Sequence, residues 1–142
     1  LEKKIADENK TIFEIVTMAS LIEKEVRTME DKKLFPDFVE TAENNIPLQV
    51  DATISYLTGK KSAKVSKEDL KANSPYNTYK YAGLPLGPIC NPGIESIIAA
   101  VYPENSRYWY YLSSPDGTTH FSKTLKEHKS KEPSILNKSK CL

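Results

Sequence analysis

The sequence predicts an α+β domain, mainly helical with one small antiparallel β-hairpin, and three observations carry that prediction. Ile12, Ile15, Val16, Ala19, Ile22, Val26 and Met29 recur at helical spacing behind a capping signal. Asn91-Pro92 opens a second apolar helical run, Ile94–Val101. Tyr108-Trp109-Tyr110-Tyr111-Leu112 and Thr118–Ser122 are strand-forming by residue type and flank the turn chemistry of Pro115-Asp116-Gly117. Runs of helix and one hairpin with no internal repeat describe an α+β chain.

Residues 1–10 are charged and read as the end of a preceding helix or linker. Thr11 and Glu14 form a capping box, a hydroxyl at the N-cap and a carboxylate three residues on, which starts the first amphipathic helix, expected to run to about Met29. Glu23 and Glu25 flank its apolar stripe on opposite edges, and periodicity does not choose between them. Pro36 is expected to interrupt any helix in 30–47, with a turn at Asn44-Asn45. Leu48 to Leu57 reads as a loop entering a short helix that ends at Gly59, with Asp51 favoured as its cap. Ser66 to Leu70 is a capped single turn.

Residues 83–93 then hold three Gly and three Pro. Gly adopts backbone angles other residues avoid and Pro fixes φ, so this loop has a defined shape. Asn91 is expected as N-cap and Pro92 as first residue of the next helix, which stops before Pro103. Thr124 and Glu127 make another capping box for a final helix, and the tail beyond Glu132 is expected to fray.

Composition bounds function. The 142 residues carry a net charge of +1, with charges of both signs spread along the chain. Only Arg27 and Arg107 supplement the lysines, so the clustered basic footprint of a nucleic-acid binder is missing. No apolar run is long enough to span a membrane. Leu1 in first position reads as a piece of something longer. The two His are eight residues apart and no Cys-x-x-Cys exists, so neither a metal nor a cofactor is expected. Cys90 and Cys141 permit a disulfide without implying it, and a Cys90–His120 nucleophile pair is conceivable but commonplace.

The groups suited to chemistry are few. A carboxyl against an apolar helix face loses solvation, which raises its pKa toward that of a general acid, and Glu25 and Glu23 are both placed for this. Asp51 is a further carboxylate. Gln49, Tyr76, Asn77 and Tyr79 supply neutral hydrogen-bonding groups and flat rings, the kit that binds sugars. His120 shares a strand face with Thr118 and Ser122.

Three blocks together resemble the MltG/YceG-like endolytic murein transglycosylases. Met18-Ala19-Ser20-Leu21-Ile22-Glu23-Lys24-Glu25 looks like the family's A-S-[IV]-[IV]-E-K-E helix. Leu48-Gln49-Val50-Asp51-Ala52-Thr53 is similar to its L-Q-[ST]-D-P-T. Tyr76-Asn77-Thr78-Tyr79 through Asn91-Pro92-Gly93 is similar to Y-N-T-Y…G-L-P-P-G-P-I-x-N-P-G, and His120-Phe121-Ser122 with Glu127-His128 matches the usual ending. The resemblance covers roughly residues 11–130.

It implies a lysozyme-like catalytic domain, here 11–131, after a linker or helix end at 1–10 and before a polar tail at 132–142. It implies cleavage of the β-1,4 bond between N-acetylmuramic acid and N-acetylglucosamine, leaving 1,6-anhydro ends, with Glu25 as acid and then base. Gln49, Tyr76, Asn77, Tyr79 and, more weakly, His120 would position the glycan. The implied partners are peptidoglycan strands and cell-wall synthesis enzymes. The implied place is the outer face of a bacterial inner membrane, reached through an N-terminal anchor absent from this sequence. A catalytically weak peptidoglycan-binding module and a hydrolysing muramidase are the alternatives. Val26 replaces the Thr that usually follows E-K-E, Ala52 replaces Pro, Leu86 replaces the second Pro of G-L-P-P-G, and residues 35–42 diverge. Pro36 inside a helix would cost about 3 kcal/mol.

Overall fold

A computed structural model of the chain describes residues 2–7, 9–42, 46–61 and 64–136. Along these run α1 (Glu2–Asp7), α2 (Ile12–Glu25), α3 (Met29–Ala42), α4 (Asp51–Thr58), a 3₁₀ turn (Asp69–Lys71), α5 (Ile94–Val101), β1 (Tyr110–Ser113), β2 (Thr119–Ser122) and α6 (Leu125–Leu136). This is the mainly helical α+β architecture with one hairpin that the residue pattern predicts. The turn expected at Asn44-Asn45 and the residue Cys141 lie outside the described residues.

α2 is the spine. Its capping box forms as read: the Glu14 N–H donates to Thr11 Oγ1 at 3.1 Å, and the Thr11 N–H donates back to Glu14 Oε2 at 2.7 Å. Ala19, Leu21 and Ile22 are fully buried, and α2 packs against α5, which in turn packs against α3. Phe35 and Val39 of α3, Val50 ahead of α4 and Val101 of α5 complete the centre of the core. Ile5 of α1 packs against that cluster, so the first residues join the body of the fold.

Pro36 does not interrupt α3; it sits inside it. Thr28 starts the helix by accepting the Asp31 N–H at 3.2 Å, and Phe35, Pro36 and Val39 are all buried. Burying these apolar groups offsets the helix hydrogen bond that the proline cannot make. Helix α5 begins at Ile94 with Gly93 as N-cap, two residues later than Asn91-Pro92 suggests. The cause is Glu23, whose carboxylate accepts the Gly93 N–H at 3.3 Å and the Ser96 hydroxyl. Helix α6 continues through Pro133 to Leu136 with Ile135 buried, past the point where fraying is expected.

The loop 83–93 lies along α2. Ser20 Oγ accepts the Ile89 N–H at 3.0 Å, and Cys90 Sγ donates to the Ser20 carbonyl at 3.4 Å. A side chain at Gly87 would start 3.1 Å from both the Phe13 ring and the Tyr76 hydroxyl, so the loop approaches closely here and glycine spares those side chains a shift. The hairpin pairs Tyr110 with Ser122, Tyr111 with Phe121, Leu112 with His120 and Ser113 with Thr119. Its turn is fastened to the end of α2, because Arg27 packs over Gly117 (φ 87°) and donates to the Asp116 carbonyl at 3.2 Å.

Candidate active site

α2 ends on Glu25, short of the end expected near Met29, because the chain leaves in an extended conformation at Val26, which is buried in the core, and Met29 opens α3 instead. The Glu25 carboxyl therefore projects from a rigid helix terminus, at the point where α4 and β1 meet it. Oε1 accepts the Ala52 N–H at 3.1 Å and Oε2 accepts the Tyr111 hydroxyl at 3.1 Å. Burial pushes the Glu25 pKa up, against these two hydrogen bonds, and the charge of Asp51 adds to the rise. Tyr111 is half-buried beside it, and desolvation together with the Glu25 charge holds its hydroxyl well above the ordinary tyrosine range.

Glu25 lines a pocket of about 390 Å³ between α4, the hairpin and α6. Gln49, Asp51 and Tyr79 line it from one side, and Trp109, Tyr111 and His128 from the other. Gln49 has φ 54°, a left-handed conformation uncommon outside glycine. It is held there because its own N–H donates to the Thr78 carbonyl at 3.0 Å and the Val50 N–H donates to Thr78 Oγ1 at 3.0 Å. Val50 and Leu48 are buried on either side while Gln49 stays exposed at the pocket.

Tyr79 donates its hydroxyl to Asp51 Oδ1. Burial and that neighbouring carboxylate raise the Tyr79 pKa. Asp51 is the first residue of α4 and not its cap: Val50 is the N-cap and makes no side-chain cap bond. The cap function passes to Glu25, whose Oε1 takes an N–H of the first turn, the end of a helix that favours negative charge.

Other expected site residues are placed elsewhere. Asn77 is 1% exposed, and its amide donates to the Leu70 and Ala72 carbonyls at 2.9 Å each while Oδ1 accepts the Tyr79 N–H at 2.9 Å. Those bonds are made within the loop that presents Tyr79, and Asn77 is not among the pocket residues. Tyr76 packs its ring 5.0 Å from Tyr56 and is not among the pocket residues. His120 of β2 is not among the pocket residues, whereas His128 of α6 is, its ring stacked 5.3 Å from Tyr110. Glu23 belongs to the α2–α5 junction, where the Ser96 hydroxyl above all, with the Gly93 N–H and Lys32, keeps its pKa low against partial burial. Cys90 is half-buried on α2 with its thiol pKa raised by burial, far in role from a thiolate nucleophile.

Tyr111 and Trp109 are among the pocket residues that residue types alone do not single out. Strand alternation puts both on one face of Tyr108–Leu112, and that pattern is the available signal. Only the packing of the hairpin decides that this face meets Glu25. Phe35 contributes here, its ring edge-on to Tyr111 at 5.3 Å and 72°. The divergent segment at 35–42 thus supports the site through Phe35. Among the described residues no group of three or more His, Cys, Asp or Glu could hold a metal ion. No helix among them is long and apolar enough to cross a membrane.

Comparison with known proteins gives consistent results. A model of the YceG-like family matches residues 1–133. The chain is 43% identical over 131 residues to the endolytic murein transglycosylase of Bacillus subtilis, a match covering 91% of this chain and 36% of that protein. It is 31% identical over 131 residues to the endolytic murein transglycosylase of Streptococcus pneumoniae, covering 87% of this chain and 24% of that one. The crystal structure of a yceG-like protein from Listeria monocytogenes superimposes with a TM-score of 0.84 at 39% identity, over 91% of this chain and 43% of that one. The chain thus spans between a quarter and about a third of the length of the curated relatives it matches.

Proposed function

Because this chain belongs to the YceG-like family, we propose that it carries the catalytic domain, residues 11–131, of an endolytic peptidoglycan lytic transglycosylase. Its substrate is the glycan strand, cut at the β-1,4 bond between N-acetylmuramic acid and N-acetylglucosamine in the bacterial cell envelope. The observation that carries the reading is a single desolvated carboxyl, Glu25, fixed at the floor of a pocket with polar and aromatic walls. A carboxyl whose pKa is raised by burial is protonated over a wider pH range and suits general-acid work.

In this mechanism protonated Glu25 gives its proton to the glycosidic oxygen as the bond to the muramic C1 breaks. The departing N-acetylglucosamine keeps that proton as a hydroxyl. Glu25, now a carboxylate, takes the proton of the muramic C6 hydroxyl, whose oxygen bonds to C1 and closes the 1,6-anhydro ring. Glu25 ends protonated, as it began, and no water is consumed. This is the acid-then-base sequence of a retaining glycosidase with an internal hydroxyl in place of water. A carboxylate nucleophile is unnecessary, which agrees with an Asp51 engaged by Tyr79. Gln49 and Tyr79, which line the pocket, orient the sugar in this reading.

Digestion of purified peptidoglycan followed by mass spectrometry of the products tests the reading. Anhydro-muropeptides are expected, and Glu25→Gln should lower their rate by at least about a hundredfold. Reducing ends in their place would mark a hydrolysing muramidase. Binding without cleavage would mark a glycan-binding module. Anhydro ends formed undiminished by Glu25→Gln would remove Glu25 from the mechanism.

A further inference from the structure

The two donors on Glu25 differ in kind. The Ala52 N–H belongs to the first turn of α4 and cannot accept a hydrogen bond. The Tyr111 hydroxyl can donate or accept, by rotating about its C–O bond. A carboxyl oxygen that carries a proton is a poor partner for an N–H pointing straight at it. The proton is therefore disfavoured on Oε1 and accommodated on Oε2, where the hydroxyl can turn.

On the reading of Glu25 as acid and base, we propose that the Ala52 N–H and the Tyr111 hydroxyl are a pair of positioning groups that assign the transferred proton to Oε2. Oε1 stays an acceptor through the whole cycle. Oε2 gives up the proton when the glycosidic bond breaks and receives the one from the C6 hydroxyl, with Tyr111 stabilising the carboxylate in between. Position 52 acquires this role here because Ala, unlike the Pro of the L-Q-[ST]-D-P-T pattern, has an N–H to give.

The titratable groups lining the pocket around Glu25 are Asp51 of α4, Tyr79 of the loop between the 3₁₀ turn and α5, Tyr110 and Tyr111 of β1, and His128 of α6. Asp51 raises the Glu25 pKa and does so in every variant that leaves it in place, so its effect cancels in the comparison. Tyr111→Phe removes one donor to the carboxylate and keeps the ring against Phe35. Ala52→Pro removes the other at a first-turn position where proline is tolerated. Each loss disfavours the charged form, so the Glu25 titration moves upward in both, by about one pH unit for one charge-assisted hydrogen bond.

The test is the Glu25 carboxyl titration followed by ¹³C NMR in the protein without substrate, and the pH profile of cleavage alongside it. Both variants are expected to shift the titration and the alkaline limb of kcat/KM upward together. In the unsubstituted protein the Ala52 amide proton should stay at a hydrogen-bonded shift on both sides of the titration. A Glu25 titration unmoved in both variants would overturn the proposal. So would an Ala52 amide that loses its hydrogen bond when Glu25 protonates, since the proton would then be on Oε1. The free-protein titration needs no turnover, so an inactive protein or an active Glu25→Gln counts against the catalytic reading and leaves this result to stand or fall separately.

Discussion

Glu23 and Glu25, two residues apart on one helix, serve different ends of the fold: the Glu23 carboxylate takes the Ser96 hydroxyl and the Gly93 N–H at the start of α5, and Glu25 faces the pocket. Glu23→Ala should therefore act on stability. It strips a cap from α5 and an anion from beside Lys32, 4.0 Å away, and is expected to cost about 1–2 kcal/mol. Chemical denaturation gives that figure, and kcat for the folded fraction should stay close to that of the parent. A hundredfold fall in kcat with stability unchanged would reverse the two roles.

Glu25→Gln should raise the melting temperature at pH 7 to 8. A carboxyl whose folded pKa lies above its unfolded one destabilises the fold once pH exceeds the folded value, because the charged form is then buried. Below the unfolded pKa both states are neutral and the penalty is gone. The gain in melting temperature should accordingly be a few degrees at neutral pH and shrink to nothing as pH falls below the ordinary carboxyl range. Melting curves of both proteins across pH 3–8 would show it; a gain that grows toward acid pH contradicts it.

Gln49→Gly should stabilise the chain and weaken substrate binding. A non-glycine residue in the left-handed region carries a penalty of about 1 kcal/mol that glycine does not. The same change deletes a polar side chain at the pocket. A higher denaturation midpoint with a KM several-fold higher is the expected pair of results. An unchanged KM would leave Gln49 without a part in binding.

Asn77→Ala should cost about 2–4 kcal/mol, since two carbonyls and one N–H lose their partner inside a buried loop. Asn77→Asp keeps only the acceptor, restores only the bond from the Tyr79 N–H, and should recover little. Urea titration distinguishes these from a ligand-contact role, which would leave the midpoint in place and raise KM.

The local signals in the chain were readable where the partner of each group is close in sequence. Thr11 and Glu14 cap each other, and Gly59 ends α4 with φ 70°. They failed where the partner is remote. Pro36 is a helix breaker by every local rule, yet its neighbours Phe35 and Val39 are bound to core sites that only a helix satisfies. Asn91 lost the start of α5 to Glu23, seventy residues upstream of the atoms it caps. The candidate site shows the same division. Glu25, Gln49 and Tyr79 meet at the pocket, while Asn77 and Tyr76, their neighbours in the Y-N-T-Y block, are spent on shaping the loop. Tyr111 depends on how the hairpin docks, which no spacing in its own strand records.

Trp109, half-exposed on the pocket wall, is the only indole in the chain. Its emission is therefore an optical signal from this one location, undiluted by any other tryptophan. A saccharide that enters and excludes water from the ring will change its colour or intensity, and one that binds elsewhere will leave it dark to the event. The molecule carries its own reporter of occupancy, one that stays legible in Glu25→Gln, where nothing is cut.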